Sequence, residues 1–324
     1  MPSAEHTRVL YLAGIPRTGS TVLGQALAGL PGVVFAGELN FFWRRYANRE
    51  LCSCGEPLPE CPLWSGVVTK AFGPVTAERA GELSALEESV VDRQRLFALS
   101  PLRWPRPPAR ELRPMLEMRD ELYATAAAAT GASWLVDGGK EPVFGRLMTG
   151  LKRTDVSTIH IVRDPRGVAF SWMKRVHSDS EPGEMPSRRP VVSAVEWILQ
   201  NLMIHISLQR LSRSYVRVRY EDLVTDLPAV VSSVAGATGL PAGPASATEP
   251  GPALAGTAQA HLVAGNPGVR RQTAKTLKLT LDDAWRTQLP RAKQRLVTII
   301  CAPLMAAYGY PLRPRPGPAG GRER

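Results

Sequence analysis

Gly14-Ile15-Pro16-Arg17-Thr18-Gly19-Ser20-Thr21-Val22-Leu23 is the stretch whose reading decides the fold. Before it stands Val9-Leu10-Tyr11-Leu12-Ala13, an apolar run too short and too β-prone for a helix. After it Val22, Leu23, Ala26, Leu27 and Leu30 recur at helical spacing. The order is strand, glycine loop, helix. The loop has the Gly-four-residues-Gly frame whose backbone N–H groups converge on an anion at a helix N-terminus. The lysine of a nucleoside-triphosphatase loop is absent: Ser20 and Thr21 follow Gly19 directly, and the only cation is Arg17. Such a cradle suits a phosphate-like group other than the γ-phosphate of ATP. The bland alternative is an ordinary strand–turn–helix with a capping hydroxyl.

A chain of 324 residues can bury one large core, or one core with a small subdomain. The net charge of +11 favours anionic partners without choosing among them. Nucleic acid is not expected, because that reading would want basic residues interleaved with aromatics on one element, and aromatics make up only 6% of residues. The longest apolar candidate for a membrane span, Leu296 to Ala307, is broken by Pro303 and reads as a core helix, so no transmembrane segment is expected. Glu5, His6 and the shortness of the first apolar run argue against a cleaved signal, which points to the cytoplasm and reduced thiols.

Along the chain, Val33 to Ala36 reads as a short strand ending at Gly37-Glu38, and Leu39 to Arg49 as a helix. Glu38 therefore stands where ligands of open α/β sheets bind, although an acid in the first turn of a helix accounts for the position equally well. Cys52, Cys54 and Cys61 lie within ten residues, but a closed zinc site needs a fourth ligand. Packed thiols or a loop-tying disulfide are the preferred reading. Two helices over 76–99 and 115–130 form an inserted lobe. Trp134 to Asp137 is the next strand, and Gly138-Gly139-Lys140 turns towards a helix at Pro142, leaving Lys140 as a ligand contact or an exposed loop lysine. In Thr158 to Val168 a buried strand ends at Arg163 and Pro165 opens a helix, so that Arg163 and Ser171 can meet one anion. The rival is Asp164 as a magnesium ligand; His160 reads as a core residue. Val191 to Leu211 is a long helix with Trp197 and Asn201, Tyr215 to Tyr220 a strand, Leu227 to Gly239 a helix, 240–268 a loop, and Asp282–Gln288 and Arg291–Tyr308 closing helices.

These residues resemble the sulfotransferases that use 3'-phosphoadenosine 5'-phosphosulfate (PAPS). Pro16-Arg17-Thr18-Gly19-Ser20-Thr21 is similar to that family's 5'-phosphosulfate loop, Ile161 to Arg166 with Ser171 to its 3'-phosphate motif, and Arg219-Tyr220-Glu221-Asp222-Leu223 to its adenine-side segment. The matches fall in the family's order over about two thirds of the chain. The similarity is greater to the bacterial, carbohydrate and tyrosylprotein branch, whose Gly-Glu downstream of the loop raises Glu38 to general base. The resemblance implies an α/β chain with a P-loop-type three-layer fold: a central parallel sheet flanked by helices, with an inserted helical lobe at about 65–131. Residues 1–312 would form one sulfotransferase domain and 313–324 a disordered basic tail. It also implies that Glu38 and Arg17 are catalytic, and that Arg17, Thr18, Gly19, Ser20, Thr21, Arg163, Ser171, Tyr220, Asn266 and Arg270 bind PAPS. The acceptor would be a small-molecule, carbohydrate or lipid hydroxyl, and no metal is required. The alternatives are a P-loop kinase or NTPase and a non-catalytic nucleotide-binding module.

Overall fold

Every residue from Val9 to Ala13 is buried, as a strand covered on both faces requires. The computed structural model describes residues 6–16, 18–97, 109–173, 188–241, 261–263 and 281–313. In it that run is β1 (Thr7–Gly14), at the centre of a five-stranded sheet with β2 (Val33–Gly37), β3 (Trp134–Lys140), β4 (Thr154–Val162) and β5 (Tyr215–Arg219). The order is β2-β3-β1-β4-β5 and every pairing is parallel. The expected α/β architecture, a parallel sheet between helical layers, is what the chain adopts.

Alternation along β1 builds the two flanking layers. Val9, Tyr11 and Ala13 pack with Trp43, Trp64, Met115 and Leu122 on one face. These come from α2 (Phe42–Ala47), α3 (Pro62–Phe72) and α5 (Ala109–Thr130). Between α3 and α5 runs α4 (Ala77–Phe97), tied to α5 by the fully buried Arg119–Glu87 pair. On the other face Leu10 and Leu12 meet Leu23 and Leu27 of α1 (Ser20–Leu27). Val231 and Val234, of the helix Leu227–Thr238, join them there. A third cluster joins Val168 and Trp172 to Trp197, Val297 and Cys301. It is formed by α7 (Pro165–Met173), which follows α6 (Pro142–Met148), with α8 (Pro190–Met203) and the C-terminal helix Arg291–Ala307.

Four sequence expectations change. Gly138-Gly139-Lys140 continues β3 rather than turning, because a register shift between Tyr11 and Ala13 lets Lys140 pair with Ala13. Tyr220 does not end a strand but begins the short helix Tyr220–Thr225. The longest apolar helix is not at Leu296: α8 continues through a π-helical turn, Ile204–Leu208, to Leu211, long and apolar enough by length and composition to cross a membrane. Trp197, Asn201, Ile204 and Leu208 on it are buried, and its side chains bond to β4 and the turn after it, so one face packs into the core while Val191, Val195, Leu199 and Ile206 are exposed. Within the long 240–268 segment expected to be a loop, Val263 pairs with Gly37 as an extra parallel bridge beyond β2.

Candidate active site

Parallel register brings the carboxyl ends of all five strands to one edge: Gly14 pairs with Ile161, Ala13 with Lys140, Gly37 with Asp137, and Val162 with Arg219. Each candidate segment begins where one of these strands stops, at the switch point where open α/β sheets bind ligands.

The glycine loop runs from β1 into α1. Gly19 has φ +81°, and a Cβ there would lie 3.0 Å from the Tyr220 ring, so glycine supplies both the left-handed turn and the close approach. Thr18 is fully buried and its hydroxyl donates to the Ile15 carbonyl at 2.8 Å, bracing the loop from within. Only its backbone N–H is left to serve a ligand. Ser20 and Thr21 are buried in the first turn of α1, which has no acidic residue and no side-chain cap. The positive end of that helix's dipole therefore lies at the sheet edge. Arg17 lies outside the described residues, as do Asn266 and Arg270.

Glu38 follows Gly37, whose φ of +86° a side chain would not tolerate: a Cβ there would sit 2.2 Å from the Val263 carbonyl oxygen. The backbone is held by Glu38 N–H donating to Val263 O at 2.5 Å and by Val263 N–H donating to Ala36 O at 2.9 Å. The Glu38 side chain forms a salt bridge with Lys140, the two side chains being 13% and 19% exposed. Lys140 reaches it from a left-handed backbone, φ +60°, which is uncommon outside glycine. It is neither an exposed loop lysine nor free of a partner.

Under this pair lies a network that sequence reasoning missed. Asp137 accepts from the N–H groups of Leu39 (3.1 Å) and Gly139 (2.9 Å) and from the Tyr123 hydroxyl (2.5 Å). Arg119 donates to the Leu39 carbonyl at 2.8 Å. The residue after Glu38 is thus clamped at both its backbone groups. Burial pushes the Asp137 carboxyl up to about 6, against the opposing pull of these donors. The available signal was an aspartate closing an otherwise apolar strand, Trp134-Leu135-Val136.

At the end of β4, Arg163 is buried, stacks over the Tyr220 ring at 4.4 Å, and donates to the Asp282 carboxylate and carbonyl, each at 3.1 Å. Its side chain runs along Gly167 of α7, and Ser171 lies one turn further on the same face. Loop, Tyr220, Arg163 and α7 therefore form one contiguous surface. The turn is fixed by Trp197, whose indole donates to the Arg163 carbonyl at 2.9 Å, and by Glu221, which accepts from Asp164 N–H at 2.9 Å and from the Tyr310 hydroxyl at 2.8 Å. Trp197 is committed to that support. The Asp164 carboxylate is taken up by Arg166, at 2.9 and 2.6 Å, and by the Arg166 N–H, which leaves the magnesium reading without its ligand. His160 is a core residue as expected, set between Tyr215 and Asn201, with burial pushing its imidazole down to about 3. A cavity of about 380 Å³ lined by Asp164, Arg219, Glu221, Asp282, Trp285 and Tyr310 lies beside this cluster and does not reach Glu38.

Among solved structures, a sulfotransferase domain from the curacin biosynthetic pathway is 21% identical, with 95% of this chain and 100% of that one covered and a TM-score of 0.51. A sulfotransferase domain from the Synechococcus PCC 7002 olefin synthase is 19% identical, with 96% and 98% covered and a TM-score of 0.53. No protein-family model and no curated protein matches the sequence. At these identities the likeness is one of fold, and it extends over nearly the whole chain.

Proposed function

We propose that this chain, which has the fold of sulfotransferase domains, moves a sulfuryl group from PAPS to a hydroxyl of a small-molecule, carbohydrate or lipid acceptor. The observation that carries the reading is the shared sheet edge, where the lysine-free glycine loop, the Glu38–Lys140 pair and the Tyr220–Arg163 stack stand together. The residues fit the donor. An uncapped helix start behind a left-handed glycine is built for the 5' anion. The Arg163 guanidinium donates to the Asp282 carboxylate, and the same planar donors suit a 3'-phosphate.

When bound, PAPS supplies a sulfuryl group joined through oxygen to a 5'-phosphate. The loop amides, Ser20, Thr21 and Arg17 hold that end and stabilise charge growing on the bridging oxygen. Arg163 and Ser171 bind the 3'-phosphate and exclude ATP, Tyr220 lies on the adenine side, and Asn266 and Arg270 also bind the nucleotide. Glu38 accepts the proton of the acceptor hydroxyl. Lys140 fixes the Glu38 carboxylate at the sheet edge, and the Asp137 network beneath fixes its backbone. The sulfuryl group carries less charge than a γ-phosphoryl, so the step needs no metal. Residues 1–312 act as one domain, and the reduced thiols suit the cytoplasm.

The test is transfer of label from PAPS to a panel of acceptors without added magnesium. Turnover of ATP with magnesium and none of PAPS would instead establish the kinase or NTPase alternative. Tight binding of adenosine 3',5'-bisphosphate with no transfer to any acceptor would establish the non-catalytic one.

A further inference from the structure

Three sulfurs and one imidazole converge outside the site just described. The donor atoms of Cys52, Cys54, Cys61 and His261 all lie within 4.8 Å of one another. His261 is the fourth ligand that the cysteine spacing lacked, and it comes from 200 residues beyond Cys61. No disulfide forms: all the cysteines are free, and the Cys54 and Cys61 sulfurs stand 3.7 Å apart.

We propose that these four residues form a closed structural zinc site. Zn–S bonds of about 2.3 Å and Zn–N bonds of about 2.0–2.1 Å at tetrahedral angles place sulfurs about 3.8 Å apart and sulfur about 3.6 Å from nitrogen. The Cys54–Cys61 separation is 3.7 Å, and His261 Nδ1 lies 3.2 Å from the Cys61 sulfur and 3.9 Å from that of Cys52. With every donor pair within 4.8 Å, one ion between them is within reach of all four. The loop that carries the first two sulfurs is closed by backbone bonds, Cys52 N–H donating to the Glu56 carbonyl at 2.9 Å and Gly55 N–H to the Cys52 carbonyl at 3.0 Å. Cys61 also stands at the N-cap of α3, where the helix dipole favours negative charge. Three thiolates and a neutral imidazole fill the tetrahedron, so the site holds no open position for catalysis.

Its role follows from what is attached to it. The Trp64 indole donates to the His261 carbonyl at 2.9 Å, and Ser53 and Leu262 exchange bonds of 3.2 and 2.7 Å. Two residues after His261, Val263 pairs with Gly37 and accepts the Glu38 N–H. Zinc therefore staples a segment distant in sequence to the strand end that carries Glu38, and binding energy at the metal becomes folding energy there.

The test is metal analysis of the untagged full-length chain expressed with zinc. About one zinc per chain is expected. Cobalt substitution should give thiolate charge transfer and the intense visible bands of tetrahedral cobalt. Cys54→Ser, at a half-buried position, and His261→Ala should each weaken zinc binding at least about ten-fold. Cys301→Ser should retain the metal, since Cys301 is buried elsewhere, against Ala194. A folded wild-type chain without zinc, a Cys54–Cys61 disulfide in its mass spectrum, or equal zinc loss in Cys301→Ser would overturn the proposal. None of these outcomes bears on whether PAPS is the donor.

Discussion

Replacing Glu38 by Gln isolates one function of one side chain. Glutamine keeps the shape of glutamate and can still accept from Lys140, and the bond between the Glu38 N–H and the Val263 carbonyl is untouched. What disappears is the negative charge. On the stability side, a charge-assisted bond becomes a neutral one. That difference is of order 1 kcal/mol, reduced by the partial exposure of both side chains. The melting temperature should therefore fall by only a few degrees, since about 1 kcal/mol moves a chain of this size by roughly 2–4 °C or less. On the catalytic side, loss of a general base costs about two to four orders of magnitude in turnover, or about 3–5 kcal/mol of barrier. Binding of adenosine 3',5'-bisphosphate, which the proposed site assigns to the loop and Arg163, should change little. The assay is single-turnover transfer from labelled PAPS, with calorimetric titration of the bisphosphate and thermal melting on the same preparation. Turnover within about ten-fold of wild type, with binding and stability intact, would remove Glu38 from the chemistry. A collapse of bisphosphate affinity would show that the Glu38–Lys140 pair holds the donor instead.

Arg163→Ala should weaken adenosine 3',5'-bisphosphate by about 10- to 100-fold, the scale of a lost charge-assisted bond. Adenosine 5'-phosphate should be little affected; equal losses in calorimetry would refute a 3'-phosphate role. Gly37→Ala puts a Cβ 2.2 Å from Val263 O at a left-handed φ. We expect a loss of about 3 kcal/mol or more, from backbone strain plus the broken bridge, read as a lower urea midpoint with reduced turnover. Burial raises the Asp137 carboxyl from 3.8 to about 6, so the native state binds a proton there before the unfolded state does. Stability contributed at this site therefore falls as pH rises from about 4 to 6, by roughly 3 kcal/mol in all. Urea midpoints across that window should show the slope in wild type and lose it in Asp137→Asn, whose amide can still accept from Leu39 and Gly139; the same slope in both proteins would exclude Asp137 as its source.

Sequence alone determined the local pieces of this protein. The β1–loop–α1 unit was legible because an apolar run, two glycines and a helical stripe are adjacent in the chain, and local order needs no distant partner. Arg163 at a strand end and Ser171 two turns along a helix were legible for the same reason. Tertiary structure alone decided what these pieces meet. Lys140 looked like a loop residue until strand pairing shifted β3 against β1 and drew it onto Glu38. Asp137, Arg119 and Tyr123 carry no mark of working together, since they gather only when α5 packs on the sheet. Asp282 could not be assigned to Arg163, 119 residues away. The three cysteines lacked a fourth ligand in their own stretch because His261 reaches them across 200 residues and more. Periodicity and spacing report neighbours along the chain, whereas a buried charge or a metal site is completed by neighbours in space, which only the packing of the sheet and its helices selects.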